Sequence, residues 1–222
     1  MHRLFLLDGM ALIYRAHFAL IQSPIRNSKG INTSALYGFI NTLLAILEKE
    51  KPTHIGVAFD TSGPTPRHIK YPAYKAQRDE MPEELAAAIP HVKALCRAFH
   101  IPVIELEGFE ADDIIGTLAT RMRAAGFRTT IVTRDKDLAQ LIQHGDEFWD
   151  YMAEERYGYA EIAPRFGCRP GGAGIRASRK RQGPENPTAR TTAQARAVPN
   201  GARILTVTRA VPIASSEKTA TG

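Results

Sequence analysis

Cysteine is nearly absent from this chain of 222 residues: Cys96 and Cys168 are the only two. They are too few and too far apart for a zinc cluster, and nothing marks a disulfide scaffold, so a reducing, cytoplasmic setting is expected. No run approaches the roughly 18 consecutive apolar residues that span a bilayer. The opening Leu4–Leu7 run is cut at once by Asp8, so a soluble chain with no signal peptide and no membrane partner is expected. The P-loop pattern G-x-x-x-x-G-K-[ST] is absent, and no G-x-G-x-x-G follows a strand. Nucleoside-triphosphate and dinucleotide chemistry therefore lose support. Ser62 lacks a G-x-S-x-G elbow, which removes the simplest serine-hydrolase reading.

Two further shortages divide the chain. Residues 169–222 hold no aromatic residue and no Asp, while 11 of these 54 residues are Gly or Pro. Such a segment has little with which to build a core and reads as a low-complexity, disordered tail. The net charge of +6 also belongs to it, because residues 169–222 carry ten Lys/Arg against two Glu, leaving residues 1–168 with 19 basic and 21 acidic side chains. A slightly acidic body that must meet a polyanion needs cations, from bound metal or from locally clustered Lys and Arg.

In the body, apolar runs of strand length alternate with longer segments of helical period, the pattern of a parallel sheet covered by helices. Strands are predicted at Arg3–Leu7, His54–Phe59, Pro102–Glu105, Thr129–Thr133 and Glu147–Tyr151, and helices at Thr33–Lys49, Glu83–Phe99, Ala111–Ala124 and Lys136–Leu141. The body then ends soon after its fifth strand, which predicts an open sheet edge with exposed apolar surface.

The acidic residues of the body fall at the ends of these strands. Asp8 ends the first, Asp60 the second, and Asp135 with Asp137 the fourth, while Glu110, Asp112 and Asp113 open the helix after the third. Ligand sites in open α/β sheets form at the carboxyl ends of the strands, so the seven carboxylates are expected on one edge. Helix capping accounts for any one of them equally well. As a set they would repel strongly without cations, and hard divalent ions, which take oxygen ligands and need no Cys or His, are the matching counter-charge. A carboxylate pocket with one or two Mg²⁺ or Mn²⁺ ions suits phosphodiester hydrolysis, and points to a nuclease or phosphatase. Pro66–Pro82 adds Arg67, Lys70, Lys75 and Arg78 interleaved with Tyr71 and Tyr74. The cations suit phosphates and the tyrosines offer stacking faces, although a solvated loop has the same composition.

Together these segments resemble the 5′-to-3′ exonuclease domain at the amino end of bacterial DNA polymerase I, a member of the flap endonuclease superfamily. The resemblance runs through LLDGMALIYRAHFAL, TSALYGFINTLLAILEKEKPTHIGVAFD, PRHIKYPAYKAQRDEMPEEL, GFEADDIIGTLA and TIVTRDKDLAQLI, in that family's order and spacing, over about residues 1–167. It implies an α/β, PIN-like (Rossmann-like) fold with a central, mainly parallel sheet flanked by helices. It also implies a nuclease domain over 1–167 and a basic tail over 168–222.

By the same resemblance Asp8, Asp60, Glu110, Asp112, Asp113, Asp135 and Asp137 match metal-binding positions. Lys75 and Arg78, with Tyr74 beside them, match an arch that holds the scissile phosphate, and Arg15, His17 and Phe18 fall where the family contacts the DNA end. The implied activity is metal-dependent hydrolysis of DNA at 5′ flaps, nicks and 5′ ends, with RNA primers as a further substrate. The chain departs from the family after Gly167, where a helix-hairpin-helix region with G-D-x-x-D-N and I-P-G-x-x-G-x-G-x-K-T segments is expected and neither is present. That departure predicts a reduced rate, a higher metal requirement and weaker duplex anchoring. The alternatives are a catalytically inactive DNA-binding fragment and a PIN-type ribonuclease.

Overall fold

The computed structural model describes residues 2–61, 63 and 80–167. Arg67, Lys70, Tyr71, Tyr74, Lys75 and Arg78, and the tail from Cys168 onward, lie outside the described residues.

The strands β1 (Arg3–Asp8), β2 (His54–Ala58), β3 (Val103–Ile104), β4 (Arg128–Val132), β5 (Glu147–Asp150) and β6 (Glu155–Gly158) form one sheet in the order β3-β2-β1-β4-β5-β6. All pairs are parallel except β5–β6. The helices are α1 (Gly9–Ala19), α2 (Ser34–Ala45), α3 (Glu83–Ala98), α4 (Ala111–Ala124) and α5 (Tyr159–Phe166). A 3-10 turn at Lys136–Leu141 and another at Tyr151–Ala153 join the later strands.

Central strands of a parallel sheet are buried on both faces, and β1 meets that demand with Leu4, Phe5, Leu6 and Leu7, none more than 1% exposed. Alternation along the strand divides the core in two. Phe5 and Leu7, with Ile55, Val57 and Val132, pack against α1, α2 and α3 through Ile13, Phe39, Leu43, Leu85 and Val92. Leu4 and Leu6, with Ala58 and Ile131, pack against α4, the first 3-10 turn and α5 through Ile114, Ile115, Leu118, Leu138 and Ile162. The chain winds outward from β1 on one face and back past it on the other, so β1 and β4 flank the point where the winding reverses.

Three sequence expectations are corrected and one helix is added. The Thr33–Lys49 helix is regular only to Ala45 and closes through a π turn at Ile46–Glu50, ended by Lys51 in the left-handed region at φ 47°. Lys136–Leu141 is 3-10 rather than α-helical. The segment Gly9–Ala19 after the first strand forms a helix, with Asp8 as its N-cap. The sheet does not stop at five strands: β6 pairs antiparallel to β5, and its Arg156 guanidinium lies 3.7 Å over the Trp149 ring while pairing with Glu50. The sheet thus ends in the polar strand Glu155–Gly158 and not in the apolar edge that was expected, charged side chains on an edge strand being a common way to blunt it. Cys96 is free and fully buried, and burial pushes its thiol up to about 12. Among the described residues, no helix is long and apolar enough to cross a membrane.

Candidate functional site

Register brings the strand-end residues together. Asp8 sits opposite Ala58, which sets Phe59 and Asp60 just beyond it, and Leu7 sits opposite Val132, which sets Thr133 beside Asp8. Asp8 is 7% exposed, and each of its oxygens has a donor: the Ala11 amide gives Oδ1 a bond of 3.0 Å, and the Thr133 hydroxyl gives Oδ2 one of 2.9 Å. Asp60 accepts from the Ala111 amide at 2.6 Å, which ties the end of β2 to the first turn of α4. Glu110, 4% exposed, is the N-cap of α4 and forms a reciprocal capping box with Asp113, whose Oδ2 accepts from the Glu110 amide at 3.3 Å. Asp135 caps the 3-10 turn by accepting from the Asp137 amide at 2.9 Å. Capping and clustering, offered above as alternatives, coexist.

The cost of the clustering is carried by Asp112. Burial, and then the neighbouring carboxylates Asp135, Asp8, Asp60 and Glu110, push its carboxyl from 3.8 up to about 7. Asp8 is raised by burial first, against the lowering effect of its two hydrogen bonds, with Asp60 and Asp135 adding to the rise. Asp137 is raised by burial and by Asp135. Five of the seven predicted carboxylates, Asp8, Asp60, Glu110, Asp112 and Asp135, therefore share one electrostatic environment. Asp137 joins it through Asp135, and Asp113 is held within the first turn of α4.

The donor set is entirely carboxylate and mutually repelling, with Asp8 and Glu110 buried, Asp112, Asp113, Asp135 and Asp137 half-buried and Asp60 exposed, which fits a hard divalent cation in charge and in ligand type. Among the described residues, no three His, Cys, Asp or Glu side chains stand close enough to enclose an ion as they are placed. Oxygens of Asp8, Asp60, Asp113 and Asp135 are engaged by main-chain amides instead. The fit is thus one of charge and ligand type.

Beside the acidic edge runs a groove of about 480 Å³ lined by Ala11, Tyr14, Arg15, Phe18, Ala19 and Arg134. Ala11 donates its amide to Asp8, and Arg134 precedes Asp135, so residues of the groove adjoin the carboxylates. Phe18 is 50% exposed with its ring stacked on Tyr14 at 6.1 Å, and the Nε of Arg15 is buried without a hydrogen-bond partner. Of the predicted DNA-end residues, Arg15 and Phe18 line the groove, while His17 is 6% exposed and does not. Sequence reasoning missed Tyr14, Thr133 and Arg134. Tyr14 was signalled by the helical spacing of Ala11, Tyr14, Arg15 and Phe18, which puts all four on one face. Thr133 was signalled only by its place two residues before Asp135, since its partner Asp8 is distant in sequence.

Comparison with known proteins gives a consistent result. Residues 3–167 match the family described as the 5'-3' exonuclease, N-terminal resolvase-like domain. The DNA polymerase I of Caldicellulosiruptor bescii is 39% identical over 171 residues, 74% of this chain and 20% of that protein. A 5'-3' exonuclease of Aquifex aeolicus is 38% identical over 170 residues, 77% of this chain and 58% of that protein. The chain therefore spans well under two thirds of either relative. Among solved structures, the T5 D15 protein co-crystallised with metal ions superposes with a TM-score of 0.62 at 16% identity, over 75% of this chain and 61% of that one. At that identity the likeness is one of fold: a mostly parallel, PIN-like sheet flanked by helices.

Proposed function

Because the chain belongs to the family of 5'-3' exonuclease, N-terminal resolvase-like domains, we propose that it is a divalent-metal-dependent 5′-to-3′ exonuclease and 5′ flap endonuclease acting on DNA. The observation that carries this reading is the convergence of Asp8, Asp60, Glu110, Asp112 and Asp135 at the carboxyl ends of the strands, strong enough to raise Asp112 to about 7. An arrangement so costly to the free protein is relieved by cations, and the T5 D15 protein of like fold was crystallised with metal ions. Mg²⁺ or Mn²⁺ bound there, as one or two ions, supplies activation of water and neutralisation of charge at a phosphodiester.

The chain's own residues bind and orient. Asp8, Asp60, Glu110, Asp112, Asp113, Asp135 and Asp137 hold the ions. In the groove, Tyr14 and Phe18 offer a stacking face to a base and Arg15 and Arg134 offer guanidinium groups to phosphate, a pairing suited to a single strand. Arg67, Lys75 and Arg78 hold phosphate in the same reading, with Lys75 and Arg78 at the scissile one and Tyr74 beside them as a stacking face. Residues 1–167 form the nuclease domain, the basic tail adds salt-sensitive contacts to DNA, and the site of action is the cytoplasm.

The test is cleavage of a 5′-labelled flap duplex with Mg²⁺, Mn²⁺ or chelator, beside Asp112→Asn and Asp113→Asn. Metal-dependent cleavage, reduced at least about a hundredfold in either variant, is expected. Retention of the flap without cleavage by folded protein would establish the inactive DNA-binding alternative, and preference for an RNA flap the ribonuclease alternative.

A further inference from the structure

Thr133 occupies an unusual position at this site. It is 2% exposed and lies just past β4, where its amide continues the sheet by donating to the Trp149 carbonyl at 3.1 Å. Its hydroxyl is placed between two carboxylate-bearing segments that are far apart in the chain. It donates to Asp8 Oδ2 at 2.9 Å and accepts from the Asp135 amide at 3.0 Å. A hydroxyl has one proton, and here it is spent on Asp8, so the direction of both bonds is fixed.

Two consequences follow for the carboxylates. With the Ala11 amide on Oδ1 and Thr133 on Oδ2, Asp8 has a donor on each oxygen and cannot turn about its Cβ–Cγ bond without losing a buried hydrogen bond. The bond from the Asp135 amide also sets the backbone at the residue from which Asp135 caps the 3-10 turn and bears on Asp112. Thr133 is thus a hinge pin between the end of β1 and the end of β4.

We propose that Thr133 is a positioning residue that fixes the mutual placement of Asp8 and Asp135 and so sets the affinity of the acidic edge for divalent cations. The inference rests on the metal-dependent reading above. Buried groups that orient metal-holding side chains commonly change affinity by about 10–100-fold when removed. Valine matches threonine in shape but lacks the hydroxyl, whereas serine retains it.

The test uses the full chain without DNA and measures Mn²⁺ binding by calorimetry, with urea unfolding in chelator as the second readout. Thr133→Val is expected to weaken Mn²⁺ binding by about tenfold or more, with Thr133→Ser restoring most of it. If Thr133→Val lowers the urea midpoint but binds Mn²⁺ as the unaltered chain does, Thr133 is structural and the inference is overturned. If Thr133→Val is too unstable to assay, Thr133→Ser decides: near-normal affinity supports the role of the hydroxyl, and a loss comparable to removal of an acidic side chain overturns it. Failure of the unaltered chain to bind Mn²⁺ would defeat the metal-dependent reading itself, and this inference with it.

Discussion

Strand β4 has a carboxylate near each end, and the two are treated in opposite ways. At its amino end Asp146, 3% exposed, is surrounded by donors: Oδ1 accepts from the Thr129 amide at 3.0 Å, and Oδ2 from the Gln143 amide at 3.1 Å and Arg123 Nε at 2.8 Å. Beyond its carboxyl end Asp112 is more than half buried as well, yet the strongest influences on it after burial are four other carboxylates. The first arrangement is complete within the protein. The second leaves negative charge to be balanced from outside, and this difference, rather than the number of acidic residues, distinguishes a structural aspartate from a candidate ion-holding one.

The largest test of this contrast is Asp146→Ala. It strips the charge partner from Arg123 and leaves two amides without acceptors, so a loss of about 3–5 kcal/mol in urea unfolding is expected. A loss below about 1 kcal/mol would mean that the amino end is no better satisfied than the carboxyl end.

Next is Gly9→Ala. A Cβ at Gly9 would lie 2.5 Å from the Phe59 ring, between the residues that follow Asp8 and precede Asp60. We expect a cost of about 1–3 kcal/mol from overpacking, read as a lowered Tm, together with weaker Mn²⁺ binding as Asp60 shifts. An unchanged Tm would show that the acidic edge is loosely packed.

The smallest expected effect has the opposite sign. Asp112→Asn should stabilise the cation-free protein at neutral pH by on the order of 1 kcal/mol, after discounting for partial exposure. The same reasoning fixes a pH dependence. Between 3.8 and about 7 the native state keeps a proton on Asp112 that the unfolded chain has released. The contribution of Asp112 to stability in chelator therefore falls across that window, being greatest below it and levelling above it. Mg²⁺ should flatten the fall and Asp112→Asn should remove Asp112's share of it. In chelator, a stability difference between the unaltered chain and Asp112→Asn that rises between pH 4 and 7 would contradict the contrast.

How much of this was legible beforehand depends on the kind of signal. The buried strands were legible because a parallel strand covered on both faces must be apolar throughout, and α4 was found at its full extent because its apolar period begins directly after an acidic cap. Strand β6 was not, since Glu155–Gly158 is polar and is held by pairing with β5 and by Arg156 over Trp149. The 3-10 geometry of Lys136–Leu141 was hidden because the apolar spacing of so short a segment suits either helix type. The carboxylates were legible as strand ends, and their placement on one edge follows from parallel pairing. Thr133 and Arg134 were not singled out, because their significance lies in what β1 and β4 bring together across the sheet, whereas Tyr14 was legible in the helical spacing of its own segment.

That pairing of β1 with β4 has a kinetic consequence. The bond from Thr133 to Asp8 spans 125 residues, among the longest loops the domain must close. Contacts of such separation form late, after the entropy of loop closure has been offset by nearer ones. During folding Asp8 and Asp60 can meet early through β1 and β2, but Asp135 joins them only when β4 docks. Repulsion among the carboxylates therefore arises chiefly when β4 docks. Dissolved divalent cations should act there, slowing the undocking of β4 more than they speed the early collapse.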